Sequence, residues 1–518
     1  MTGRKEKFLK SSIALGVCVC MISLCACTGS KISSEVEYTE VVTDMRSQIE
    51  NSSGDTMQTT DDYTSASDDY TSAGDDYTSA GNVNSGTVPD QTIGNTDYTS
   101  NNSNASQQEQ TEFIPISQKD AANNAEKFIE SLATELKMPS NYKTTLNSSV
   151  SNYDNARLGN LINKALKGES LTIATIGGSI TNGALASATA KNYPNRILAW
   201  FEKTFPNIKV KLVNAGIGAT TSAMGAYRIK EDVLAYDPDL IVLEYAVNDN
   251  NNGEYLTACY EGLVRNALAY KDAAVICLYL AQQDKGTAQD GEQSVGNHYQ
   301  LPQASMLNAF GNYNDWHDMF ALNDNLHPND LGHGRIGLLV DWLLTESLLK
   351  HSSSKTEYSI PSLLLAGASV YGKDDYLLKL NYSNSLSFVR NKSDVVNNKV
   401  SFLNKKYSLK TKEYKLSNHT FSVITVAKGK TLEMEINGVR GFCIIMNRDV
   451  DGGSANITVT EKDTGKANNV MVDSNFSFSH LWNTTPLYAS SDGKQHNVKV
   501  KIESVDNAFS IAGFGIND

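Results

Sequence analysis

From about residue 120 the apolar positions along the chain fall into a regular rhythm. In "DAANNAEKFIESLATELKMP" they recur at Ala125, Phe128, Ile129, Leu132 and Leu136, the spacing of one helix face, and Pro139 stops the pattern. "NARLGNLINKALKG" repeats it with Leu158, Leu161, Ile162 and Leu166, and Gly168 as the stop. From Leu171 onward strand and helix patterns alternate. Apolar runs at 171–176, 209–213, 240–245 and 274–280 predict strands, and helices are expected around 194–205, 222–235, 254–270 and 332–349. Buried strands separated by helices of ten or more residues indicate a parallel sheet covered on both faces, an α/β class of fold. Past residue 355 the runs become short and alternating: "KTLEMEING", "GFCIIMN", "ANITVTEKD", "HNVKVKIES" and "FSIAGFGI", divided by Gly, Asn and Asp turns. That pattern predicts an antiparallel β-sandwich over residues 356–518, following an α/β domain over 120–350.

The first 115 residues follow neither rhythm. Arg4, Lys5, Lys7 and Lys10 precede a short apolar run, "SSIALGVCVCMISLCAC", which reads as a secretory signal over residues 1–27 rather than a membrane span. Its last residues, Leu24-Cys25-Ala26-Cys27, resemble a bacterial lipobox. The resemblance implies cleavage after Ala26 and lipidation of Cys27, and hence a chain anchored to the cell membrane and facing outside the cytoplasm. Residues 28–115 are rich in Ser, Thr, Asn, Asp and Gly and repeat "DDYTSAS", "DDYTSAG", "DDYTSAG"; one Tyr per seven residues makes no coiled-coil seam, and a disordered acidic linker is expected. The net charge of −13 belongs to this stretch, since residues 28–120 hold 17 acidic and 3 basic residues. The acidity therefore says little about a substrate, and no nucleic-acid partner is expected. Four of the seven cysteines lie in the signal; Cys259, Cys277 and Cys443 are far apart and predict small buried side chains, not a disulfide or metal framework.

Candidate chemistry gathers at the carboxyl ends of the predicted strands, where open α/β sheets place their crevice. "LTIATIGGSITNGA" ends a strand in two glycines and Ser179, which is either a helix cap or a nucleophile. "NAGIGATTS" is a Gly-rich turn after the next strand. "EYAVNDN" puts Asn248 just past the third, and "DNLHPND" sets Asp324 three residues before His327. A serine hydroxyl needs a base, an imidazole can be that base, and a carboxylate can orient the ring and stabilise its charge. The Asn248 amide and backbone N–H groups of Ser179 and of the 216–219 turn can receive an oxyanion. Arg228 and Glu244 are weaker candidates for positioning a substrate, or for an ion pair. Asp249 is expected to hold a loop, and His333 and Arg335 to pack. His317, His327 and His333 lack acid-rich spacing, so no metal and no cofactor is expected.

As a set, "GGSI", "NAGIGATTS", "AVND" and "DNLHPND" make residues 150–350 resemble the SGNH/GDSL hydrolase family. The resemblance implies a flavodoxin-like three-layer α/β/α fold, with Ser179 as nucleophile, Asp324 and His327 completing the triad, and an oxyanion hole from Ser179, Asn248 and either Gly218 or Ala219. Two positions depart from the family pattern: Gly178 stands where the family name has Asp, and Ala219 where many members have the oxyanion glycine. The function expected is hydrolysis of ester-linked acyl groups, O-acetyl above all, from a polysaccharide. A lipase, a thioesterase, a peptidoglycan O-acetylesterase, and a glycan-binding surface protein with an inactive hydrolase domain are the alternatives. Trp482, Tyr488 and His480 are candidates for glycan contact, or for core packing.

Overall fold

The computed structural model describes residues 114–250, 253–351, 358–364, 387–388, 400–403, 410–416, 419–476, 480–492 and 494–517. The expected signal, Cys27 and the acidic linker lie outside them. Among the described residues no helix is long and apolar enough to cross a membrane.

The first part of the chain runs α1 (Gln118–Glu135), α2 (Tyr142–Asn147), β1 (Val150–Ser151), α3 (Ala156–Leu166), β2 (Leu171–Gly177), α4 (Ser179–Asn182) and α5 (Tyr193–Thr204). It continues with β3 (Val210–Gly216), α6 (Ser222–Asp232), β4 (Leu240–Glu244), α7 (Gly253–Ala269), β5 (Ala274–Tyr279), α8 (Gln289–His298), β6 (Gln303–Ser305), α9 (Met306–Phe310) and α10 (Asp330–Leu349). The six strands order as β1-β6-β5-β4-β2-β3. All neighbours are parallel except β1, which runs antiparallel to β6. Strands β4 and β5 are buried at every position, as a sheet covered on both faces requires. One core, with Trp200, Phe201 and Leu343, packs α1, α5 and α10 on one face, and a second, with Tyr260, Leu263 and Ile241, packs α6 and α7 on the other. The result is the expected three-layer, flavodoxin-like sheet. Its chain order reverses between β2 and β4, which fixes the crevice at their carboxyl ends.

Elements α8 and β6 were not among those expected. Strand β6 has three residues, and α8 carries two acids and little apolar periodicity, so neither offers the spacing a strand or helix usually announces.

The C-terminal part is two antiparallel sheets. One orders β15 (His480–Ala489), β12 (Gly441–Arg448), β17 (Phe509–Asn517), β10 (His419–Val426) and β9 (Lys410–Leu416), with β7 (Ser387–Phe388) also on β17. The other orders β14 (Ala467–Asp473), β13 (Ser454–Glu461), β16 (His496–Ser504), β11 (Thr431–Val439) and β8 (Val400–Phe402). Their inner faces share a core that includes Ile444 and Phe514 from one sheet and Val459 and Val500 from the other; β16 alternates buried and more exposed positions, whereas β12 is buried along nearly its whole length. It meets the α/β part at α6: a Cβ on Gly515 would lie 2.6 Å from the Tyr227 ring, so only glycine allows this approach. Cys259, Cys277 and Cys443 are buried, as expected of them.

Candidate active site

Strand β2 ends at Gly177 and the chain turns sharply into α4. A Cβ at Gly177 would collide with the Thr181 hydroxyl and the Glu244 carboxyl, which is why glycine stands there. Gly178 takes the helix-cap position and Ser179 opens the helix. Gly183, at φ 100°, closes it in the left-handed region. Ser179 is therefore not a cap. Its Oγ lies 2.8 Å from His327 Nε2.

His327 sits in a turn between residues 320 and 328, whose ends pair as an isolated antiparallel bridge. Asp324 Oδ1 accepts from the backbone N–H groups of Leu326, at 2.8 Å, and His327, at 2.9 Å. Oδ2 lies 2.8 Å from His327 Nδ1. Desolvation raises the Asp324 carboxyl, but the hydrogen bonds from the His327 ring and the two N–H groups outweigh it and hold its pKa below the usual carboxylate range. An ionised carboxylate only accepts, so Nδ1 carries the hydrogen, Nε2 presents its lone pair, and the serine hydroxyl donates to it. Such a row can take a proton from the hydroxyl and stabilise the imidazolium that results.

The remaining wall comes from the neighbouring strands. Asn214, on β3, donates from Nδ2 to Thr181 O at 2.8 Å and accepts from Gly216 N–H at 2.9 Å, tying the Gly-rich turn to α4. That turn brings Gly218 against Ser179: a Cβ added to Gly218 would be 3.6 Å from the Ser179 Cβ. Ala219 has φ 58°, the left-handed conformation that glycine adopts without strain. The Asn248 carboxamide stands beside Gly178, and a Cβ at 178 would run into its Oδ1. The departure from the family name thus makes room for Asn248; an Asp in this position would displace it. Asp249 Oδ1 accepts the Ser222 N–H at 2.9 Å and so holds the start of α6, the loop role expected of it.

Ser179, Asp324, His327, Gly218 and Asn248 therefore converge, with Ala219 following Gly218 in the same turn. Arg228 and Glu244 do not face the crevice; both are fully buried. Arg228 pairs with Asp232 at 3.1 Å, and donates to Ala215 O at 2.5 Å and Gly177 O at 3.0 Å, which fastens the ends of β2 and β3 together. His333 donates from Nε2 to Ala184 O at 2.9 Å behind the serine helix, and Arg335 pairs with Asp315 at 2.6 Å. Sequence reasoning passed over Thr181 and Tyr193, whose hydroxyls meet at 2.6 Å under the turn. It also passed over Asp330, which accepts from Ser187 and from Lys191 at 2.6 Å and pins the loop after α4 to the start of α10. A signal for Glu244 was present, a carboxylate ending the apolar run "LIVLE". In the sandwich, Tyr488 is buried and donates to Glu461 at 3.0 Å, the packing role of its two readings. The side chains of His480 and Trp482 lie outside the described part of the molecule. Among the described residues one set of ligand-type side chains lies close together, Glu461, Asp463 and His496 in the sandwich, and its ring nitrogens already meet Asp463 and Asp492 at 2.8 and 2.9 Å.

A doubly wound sheet carrying a hydroxyl, imidazole and carboxylate row at its switch point is the arrangement of a carboxylic ester hydrolase. Residues 175–335 match the model of the GDSL-like Lipase/Acylhydrolase family, so this part of the chain is similar to that family. No curated protein matches the chain in sequence. Among solved structures, a two-domain esterase (CEX) active on acetylated mannans superposes with TM-score 0.57 at 22% identity, covering 72% of this chain and 99% of its own. The same esterase co-crystallised with mannopentaose gives TM-score 0.56 at 24% identity, covering 70% of this chain and 96% of its own. At these identities the likeness is one of fold, and it extends over the α/β and β parts together.

Proposed function

We propose that the chain is a serine esterase that removes O-acetyl groups from a polysaccharide through an acyl-enzyme on Ser179. The observation that carries this reading is the unbroken row from Ser179 Oγ through the His327 ring to Asp324, with both contacts at 2.8 Å. Ser179 Oγ attacks the ester carbonyl as its proton passes to His327 Nε2. The tetrahedral oxygen is received by the Asn248 amide and by backbone N–H groups of Ser179 and of Gly218 or Ala219. Collapse breaks the bond to the sugar oxygen, which leaves with the proton from the imidazolium. A water then gives its proton to His327, attacks the acetyl-serine, and releases acetate and the free hydroxyl. No step draws on a metal or cofactor.

Support for a glycan substrate is the superposition, across both parts of the chain, on an esterase described as active on acetylated mannans. The apolar N-terminal run and the lipobox-like Leu24–Cys27 support an enzyme exported and anchored by lipid on Cys27, with the acidic stretch as a spacer. The test is acetate release from acetylated mannan, acetylated xylan and O-acetylated peptidoglycan, alongside p-nitrophenyl acetate. Wild-type protein releases acetate from at least one of the two plant-type polymers, and Ser179→Ala releases none. Turnover confined to peptidoglycan, to thioesters or to long-chain lipids overturns the substrate assignment. Fatty-acid label retained by Cys27→Ala overturns the anchor.

A further inference from the structure

We propose that Glu244 is a positioning residue for Ser179, holding the serine turn from beneath through the Thr181 hydroxyl. This rests on the acyl-enzyme reading above. Glu244 is the last residue of β4 and is fully buried. Thr181 Oγ donates to its Oε2 at 2.7 Å, while Oε1 is buried without a hydrogen-bond partner. This donor lies two residues after Ser179, on the same short helix. Thr181 has one hydroxyl proton and gives it to Glu244, so in the 2.6 Å contact with Tyr193 the tyrosine hydroxyl is the donor. With Glu244 ionised, the chain Tyr193–Thr181–Glu244 runs toward a carboxyl under the attacking oxygen's own turn.

The packing leaves this carboxyl able to act through the turn and not on a substrate. A Cβ on Gly177 would meet Glu244 Oε2 at 2.7 Å, so the group is walled in by β2. A hydroxyl donor aimed into a dry site requires an acceptor; an apolar side chain there would leave it unsatisfied. The titratable groups around Glu244 are Tyr193 on α5, Tyr245 and Asp249 just past β4, and Glu292 on α8; none is a cation. Arg228 on α6 reaches the group only by way of the Tyr245 hydroxyl, at 2.9 Å. Burial pushes the Glu244 carboxyl up to about 7.

The experiment compares Glu244→Met, Glu244→Gln and Thr181→Val with wild type by kcat, KM and the pH profile of kcat on p-nitrophenyl acetate. For Glu244→Met and Thr181→Val, turnover is expected to slow about tenfold or more, with KM within about twofold. Glu244→Gln restores an acceptor and recovers most of the lost turnover, and its pH profile differs from that of wild type, in which Glu244 loses its proton at about 7. Thr181→Val decides the matter if Glu244→Met does not fold. Wild-type turnover in Thr181→Val, or no recovery in Glu244→Gln, overturns the proposal. Labelling of Ser179 by a fluorophosphonate is followed in the same proteins. An unlabelled wild type points to failure of the acyl-enzyme reading, whereas variants labelled at the wild-type rate overturn only the role of Glu244.

Discussion

The two turns that meet at the site are held in opposite ways. The histidine turn is local: Asp324 binds the ring of His327 and the N–H groups of Leu326 and His327, all within three residues. The serine turn is held from a distance. Its supports are Asn214, Arg228 and Glu244, which lie 33 or more residues away from the groups they bind. A self-sufficient turn can carry its own orienting carboxylate partly in solvent, with Asp324 28% exposed at the side chain. A turn built on glycines has no such side chains to spare, and must be fixed by buried polar groups reaching in from the sheet and helices beneath it. The difference implies that damage to the histidine turn abolishes proton transfer, and damage beneath the serine turn misplaces a nucleophile that still reacts.

The largest effect separating the two is expected at Asp324. Asp324→Asn removes the acceptor that fixes the His327 tautomer, and kcat falls by about 10⁴ with the fold intact, checked by steady-state kinetics and circular dichroism. Next is the contact between the serine turn and the third strand. Asn248→Ala costs about 10²–10³ in kcat through loss of an oxyanion donor. Gly178→Ala pushes the same carboxamide aside without touching it chemically. It slows turnover by up to about 10²-fold, with a melting temperature close to wild type. A Gly178→Ala enzyme as active as wild type would break the link between the two.

The supports beneath the serine turn also leave a mark on stability. The Glu244 pKa is raised from 4.5 to about 7 by burial, and Asp249 to about 7 for the same first reason. Between 4.5 and about 7 the folded chain keeps a proton on Glu244 that the unfolded chain has lost, so stability from this group declines as pH rises through that window. Below 4.5 both states are protonated and the contribution is constant. In Glu244→Gln the drop in melting temperature from about pH 5 to about pH 8 is smaller than in wild type. Asp324 works in the opposite sense, since its lowered pKa gives stability that disappears only as the pH falls through the acid range. The smallest effect is at Ala219. Its left-handed φ of 58° favours glycine, and Ala219→Gly raises the melting temperature by about a degree or two at unchanged kcat.

The same contrast explains what could be read along the chain. Asp324 and His327 were legible because their relation is a spacing, three residues in one turn. The parallel sheet was legible because β2, β4 and β5 are apolar over most of their length. Ser179 alone stood between cap and nucleophile; the four blocks taken together pointed to the nucleophile, and the 2.8 Å contact to His327, 148 residues away, fits that role. For Glu244 and Arg228 substrate positioning and an ion pair stood side by side, and Arg228 takes the ion pair, with Asp232. Charge and a position at a strand end describe them equally well on either side of the sheet edge, and only burial places them beneath it. Thr181 and Tyr193 gave no sign at all, because a hydroxyl in a helix has no pattern that announces its partner. Strand β6 was missed for want of length.

The most direct test of the account is to catch the intermediate. Wild-type protein is mixed with p-nitrophenyl acetate, quenched in acid within milliseconds to seconds, digested and analysed by mass spectrometry. The account predicts one acetyl group, on the peptide containing Ser179, present in wild type and more abundant when deacylation is slowed by lowering the pH. Hydrolysis that proceeds at full rate in Ser179→Ala, or an acetyl group carried on a different residue with Ser179 unmodified, contradicts it.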